Sequence, residues 1–177
     1  EGGDYSVYDI QAYGADRSGS QATASSNFAG IQAALTALRV VGGGICYIPV
    51  GTYVIDDDLL YGSNLTFMGA GIGSVIQNKT TRTLPAPMLL EYENGLDNVT
   101  FRDFVLDQRS DVLGNDSNSM CLSIDGIDGV YIDNVVFRHI ITMAVWCDSR
   151  GTVVTDNGRI SNCKIEDSLA GGISVFG

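Results

Sequence analysis

The sequence predicts an all-β fold, a parallel β-helix carrying a single α-helix near its start. Three observations lead there. Similar short segments recur at a spacing near 30 residues, with apolar residues at matching places. Only one stretch, about residues 27–39, has a helical period. Gly is abundant at 22 and Pro scarce at 3, which fits many regular corners without stiffened loops.

The helix comes first. Ser25, Ser26 and Asn27 offer N-caps, and Phe28, Ile31, Leu35 and Leu38 come after them at helical spacing. Ala33, Ala34 and Ala37 favour the helix. Arg39 sits in its last turn, and Gly42, Gly43 and Gly44 end it. Strands are expected next at Ile45–Ile48 and Thr52–Ile55, around a turn at Pro49, Val50 and Gly51. Further strands are expected at Cys121–Ile124, Met143–Cys147 and Gly172–Phe176.

The repeats align in columns. The segments at Asn64, Asn98, Gly129 and Asn157 succeed one another at offsets of 34, 31 and 28 residues. The first column holds Phe67, Phe101, Ile132 and Ile160, the second Ala70, Phe104, Val135 and Cys163, and the third Ile72, Leu106, Phe137 and Ile165. A coil cannot bury its inward face alone, so stacked coils need such columns. Asp103, Asn134 and Asn162 form an expected polar ladder at a corner. Asp107, Arg138 and Glu166 form an expected stack of alternating charge.

The chain reads as one domain, 1–177. Residues 1–44 are the N-terminal cap region, and 45–177 make about four to five coils. The last segment reads as a strand with no cap after it, so the solenoid is expected to continue beyond Gly177. The formal charge of −11 and the lack of clustered Lys or Arg argue against a nucleic-acid partner. No apolar run approaches the ~20 residues of a membrane span, so no membrane insertion is expected. Cys46, Cys121, Cys147 and Cys163 are widely spaced and show no metal-type pairing. They are read as buried thiols, with a disulfide as the alternative. Sequons at Asn64, Asn78, Asn98 and Asn115 are read as turn residues.

Four segments together resemble the start of the pectate-lyase-like right-handed β-helix superfamily: residues 7–15, residues 31–35, residues 42–53 and residues 63–71. The resemblance implies a right-handed single-stranded parallel β-helix whose helix caps the N-terminal end. Its members include lyases, hydrolases, epimerases and phage tail spikes acting on polysaccharides. One departure stands out. The family's acidic stretch before the helix is replaced here by Asp16-Arg17-Ser18-Gly19-Ser20-Gln21-Ala22-Thr23-Ala24-Ser25.

Glycan hydrolysis uses two carboxylates flanking the scissile bond. Asp107 and Asp111 flank Arg109 and form one candidate cluster, the acids catalytic and the Arg substrate-binding. Asp148 and Arg150 come just after Trp146, whose ring is read as core or as a sugar platform. His139 is read as a base or as a structural residue at a strand edge. The signatures of polygalacturonase-like and epimerase-like members are absent. A lyase would use Ca²⁺ on several carboxylates, but no metal set is compelling and no cofactor is expected. The leading expectation is a tail-spike or tail-fibre module that binds a bacterial surface polysaccharide and self-associates as a homotrimer, located in the virion. A secreted lyase or hydrolase, and a purely structural solenoid, are the alternatives.

Overall fold

The structure is a computed structural model. It describes residues 6–81, 88–93, 95–109, 119–148, 155–169 and 171–176.

Strand β1 (Val7–Asp9) leads into a 3-10 turn at Ile10–Tyr13, capped by the Asp9 carboxylate, which accepts from Gln11 N at 2.8 Å. A second 3-10 turn, Gln21–Thr23, feeds helix α1 (Ala24–Val40). The helix therefore starts three residues before the expected position. The Ser and Asn residues read as caps lie inside it instead. Ser26 Oγ donates back to the Thr23 carbonyl at 2.8 Å. Asn27 is fully buried, and its Oδ1 accepts from Asp16 N at 2.6 Å. The capping role falls to Ser20, whose hydroxyl caps the 3-10 turn ahead of the helix. At the far end, Gly43 N donates to the Leu38 carbonyl at 2.9 Å, as a Gly-ended helix should. Ile31, Leu35 and Leu38 are buried in the core with Ile10 and Cys46.

The remaining described strands are β2 (Gly44–Ile48), β3 (Gly51–Ile55), β4 (Leu59–Tyr61), β5 (Leu65–Gly69), β6 (Ser74–Asn78), β7 (Leu89–Glu91) and β8 (Leu96–Asp107). They continue with β9 (Met120–Ser123), β10 (Ile127–Arg138), β11 (Met143–Asp148), β12 (Arg159–Ser161), β13 (Lys164–Glu166) and β14 (Ile173–Phe176). The pairings between them are parallel. The larger sheet runs β1-β2-β5-β8-β10-β12, with β6 also on β8 and β13 also on β10. The smaller runs β4-β7-β9-β11-β14. Helix α1 lies against β1 to β4. The result is a β-helix-like fold with apolar side chains buried between its sheets.

The larger sheet curls because single residues in the left-handed region turn the chain within β8 and β10. Asp103, Asn134 and Asn162 have φ of 61°, 52° and 53°. Asn and Asp tolerate this region better than other non-Gly residues, because a short polar side chain bonds locally. A second corner stacks Asn64, Asn98, Gly129 and Asn157, all at positive φ. Gly129 supplies at no steric cost the conformation its Asn neighbours adopt. A third stacks Arg109, His139 and Asp167 at φ of 63°, 49° and 53°.

The first column holds throughout: Phe67 pairs with Phe101, Phe101 with Ile132, and Ile132 with Ile160. The other two hold only from Phe104 and Leu106 onward. Ala70 is exposed, and Ile72 is 71% exposed. Ile76 on β6 takes the place expected of Ile72, opposite Leu106. The physical reason is a wider corner in that coil. Residues 70–73 bulge outward where later coils turn on one residue. Gly69 sits before the bulge, and a Cβ there would lie 2.2 Å from the Asp103 carbonyl oxygen. All four cysteines are free thiols, three buried and Cys163 half-buried. Asn78, one of the sequon residues, is fully buried.

Candidate functional site

Asp107 ends β8, in register with Gln77 on β6 and Arg138 on β10. It is only 3% exposed. A buried carboxylate needs hydrogen-bond donors, and Asp107 has three. Gln77 Nε2 donates to Oδ2 at 3.1 Å, and Arg109 N donates to Oδ1 at 3.1 Å. His139 Nδ1 lies 2.9 Å from Oδ1. The other ring nitrogen, Nε2, lies 3.9 Å from Oδ2 of the exposed Asp167.

His139 is therefore a corner residue, held by a buried carboxylate on one side and facing an exposed one on the other. Asp107 favours a proton on Nδ1 and leaves Nε2 outward. An imidazole oriented this way can take or deliver a proton at Nε2. The sequence placed His139 at a strand end but gave no hint of its partner, because the two are 32 residues apart. In the expected charge stack, the Arg138–Glu166 rung forms at 3.1 Å. Lys164 beside Glu166, with Arg138, holds that carboxyl below its usual range. Asp107 is engaged by His139 and Gln77.

Of the other candidates, Arg109 occupies the same corner, one coil before His139. Trp146 is half-buried on β11, in register with Ser123 and Ser174. Asp148 ends β11, its backbone in register with Phe176. Asp111 and Arg150 lie outside the described residues.

Glu91 has no counterpart among the sequence-based candidates. It sits on β7, in register with Tyr61 on β4. The Tyr61 hydroxyl lies 3.1 Å from Glu91 Oε1 and against the Ser123 carbonyl. Asp125 N donates to the same Glu91 oxygen. Burial pushes the Glu91 carboxyl above its usual range, and the nearby Asp125 charge adds to this. Burial also pushes the Tyr61 hydroxyl well up. Glu91 sits in the short segment Leu89-Leu90-Glu91, where nothing in the pattern marks an inward-facing acid. Among the described residues, no group of three His, Cys, Asp or Glu side chains comes together to hold a metal. No described helix is long and apolar enough to cross a membrane.

No family model and no curated protein matches this sequence. Solved structures do match in fold. Pre-mature bacteriophage phi29 gene product 12 superposes with a TM-score of 0.73 at 22% identity, over 88% of this chain and 22% of that one. A glycosyl hydrolase-like protein of Parabacteroides merdae superposes with a TM-score of 0.71 at 16% identity, over 95% and 80%. ORF18 of Geobacillus virus E2 superposes with a TM-score of 0.68 at 16% identity, over 95% and 38%. This chain thus spans about a fifth of the phi29 protein's length. At such identities the likeness establishes the fold. The chain has a β-helix-like fold, found in phage proteins and in a glycosyl hydrolase-like protein alike.

Proposed function

We propose that this chain is a right-handed β-helix module of a phage tail spike or tail fibre, of the pectate-lyase-like type, that binds a bacterial surface polysaccharide. The observation that carries this reading is the fold likeness to phi29 gene product 12 over 88% of the chain. The surface supports it. Its corners present in-register Asn and Asp side chains, repeated coil by coil about every 4.8 Å. A rigid, repeating array of donors and acceptors suits a repeating sugar chain. The module acts as a homotrimer.

A second reading has its own support. The buried Asp107 and the outward Nε2 of His139 make an oriented acid–base pair, as a secreted lyase or hydrolase would use. One assay separates the two. The protein is incubated with purified surface polysaccharides from a bacterial panel. Retention on a polysaccharide without new reducing ends or unsaturated ends supports the binding module. Chain cleavage that is lost in His139→Ala supports the enzyme. Light scattering reads the assembly, and a monomer contradicts the trimer.

A further inference from the structure

We infer a glycan subsite in the cleft beside the Asn corner, with the Tyr131 ring as its platform and the Asp97 and Asp128 carboxylates as its hydroxyl acceptors. It rests on the polysaccharide-binding reading above and assigns that reading a place. The cleft holds about 360 Å³ and is lined by Asn64, Asn98, Asn157, Asp97, Asp128 and Tyr131, together with Gly129. It crosses the coils, because its residues come from successive turns of the chain. It lies apart from the corner of Arg109 and His139.

Tyr131 is 48% exposed on the outer face of β10. Its register neighbours are Thr100 and Arg159. An exposed tyrosine ring beside fixed polar groups is amphipathic in the way a sugar is. The ring covers the C–H face, and the polar groups meet the hydroxyls. The amides are already fixed. Asn98 Nδ2 donates to Asn64 Oδ1 at 3.2 Å, and Asn157 Nδ2 donates to Asp128 Oδ1 at 2.7 Å. The Asp97 carboxylate has no side-chain partner among the described residues.

Asp97 and Asp128 are direct register partners. Like charges so placed are destabilising. Hydroxyl donors from a ligand offset that repulsion, whereas a uronate or phosphate adds a third negative charge beside two carboxylates. Arg159 contributes one positive charge nearby and does not reverse the balance. The ligand class is therefore a neutral, hydroxyl-rich glycan lying across the coils.

The test is affinity electrophoresis in gels cast with dextran, with galactomannan or with polygalacturonate. Wild type is run beside Tyr131→Ala, Tyr131→Phe and the double variant Asp97→Asn with Asp128→Asn. Thermal midpoints are recorded for each. A neutral polysaccharide is expected to retard wild type. Tyr131→Ala then weakens binding at least tenfold at an unchanged midpoint, and Tyr131→Phe retains it. The isosteric double Asn variant weakens it without changing shape. Undiminished retardation of Tyr131→Ala overturns the subsite but leaves the polysaccharide reading standing. Retardation by polygalacturonate alone overturns the charge argument. No retardation of wild type in any gel overturns the neutral-glycan subsite, and the reading beneath it falls when the bacterial panel also fails to retain the protein.

Discussion

Two corners of this molecule use the same backbone device and end in different chemistry. At the corner of Asp103, Asn134 and Asn162, the side chains close on one another. Asn134 Nδ2 donates to Asp103 Oδ1 at 2.8 Å, and Arg102 Nε pairs with Asp103 Oδ2 at 2.6 Å. Ser161 and Asn162 both donate to Asp133 at 2.8 Å. At the corner of Asn64, Asn98, Gly129 and Asn157, only part of the polar capacity is used internally, and a cleft opens beside it. The left-handed turn is filled by Asn, Asp or Gly in both places, the residues that tolerate it best. The residues flanking each turn decide the outcome. Arg102 closes one corner, and Tyr131 with Asp97 leaves the other open.

The largest effect should come from where the closed corner meets the wide one. Gly69→Ala forces a Cβ to within 2.2 Å of the Asp103 carbonyl oxygen. A backbone neighbour cannot swing away, so about 3 kcal/mol of stability should be lost in urea unfolding. A loss under about 1 kcal/mol would mean that this corner yields easily.

Next comes the left-handed conformation itself. Asn134 has φ of 52° and donates to Asp103. Asn134→Gly loses the bond but keeps the conformation. Asn134→Ala loses the bond and strains the backbone, so it should be less stable than the Gly variant by about 1 kcal/mol. Equal stabilities would remove backbone strain from the explanation.

A pH comparison sharpens the contrast between corner and interior acids. Asn134, then Arg102, hold the Asp103 carboxyl below its usual range, and Ser161, then Asn162, do the same for Asp133. A lowered folded value means that stability is present in full above the unfolded value, about 4. It is lost as pH falls through the folded value. Glu91 has the opposite sign. Its raised folded value supplies stability below the unfolded value and loses it as pH rises. Asp103→Asn should therefore cost more stability at pH 7 than at pH 3. Glu91→Gln should gain on wild type between pH 4 and pH 7. Urea midpoints at these pH values measure both, and parallel curves for the two variants would contradict the assignment.

The smallest effect belongs to Arg138→Ala. Its pair with Glu166 is partly exposed, at 34% and 26% for the two side chains. Such pairs contribute about 0–1 kcal/mol. Thermal melts should shift by no more than about 4 °C.

Much of the fold was legible because stacking writes itself into the sequence. Phe67, Phe101, Ile132 and Ile160 had to match in type, since each packs on the next coil. The failures have equally local causes. Aligning Ile72 to Leu106 assumes equal corners, and the bulge of residues 70–73 shifts the partner to Ile76. Ser25 and Asn27 look like caps because cap residues also serve inside a helix that enters through a 3-10 turn. The candidate sites were less legible. Asp107 and His139, or Glu91 and Tyr61, meet only because coils 30 or more residues apart lie in register. Composition and spacing within one segment carry no trace of such a meeting.

The decisive contrast is that one corner is closed on itself and the other opens into a cleft. Hydrogen exchange read by mass spectrometry, with and without the polysaccharide that retards the protein, measures this directly. Protection is expected at residues 96–100, 127–131 and 157–160, with none at residues 102–105, 133–136 and 162–165. Protection confined to the second set, or equal in both, would contradict it.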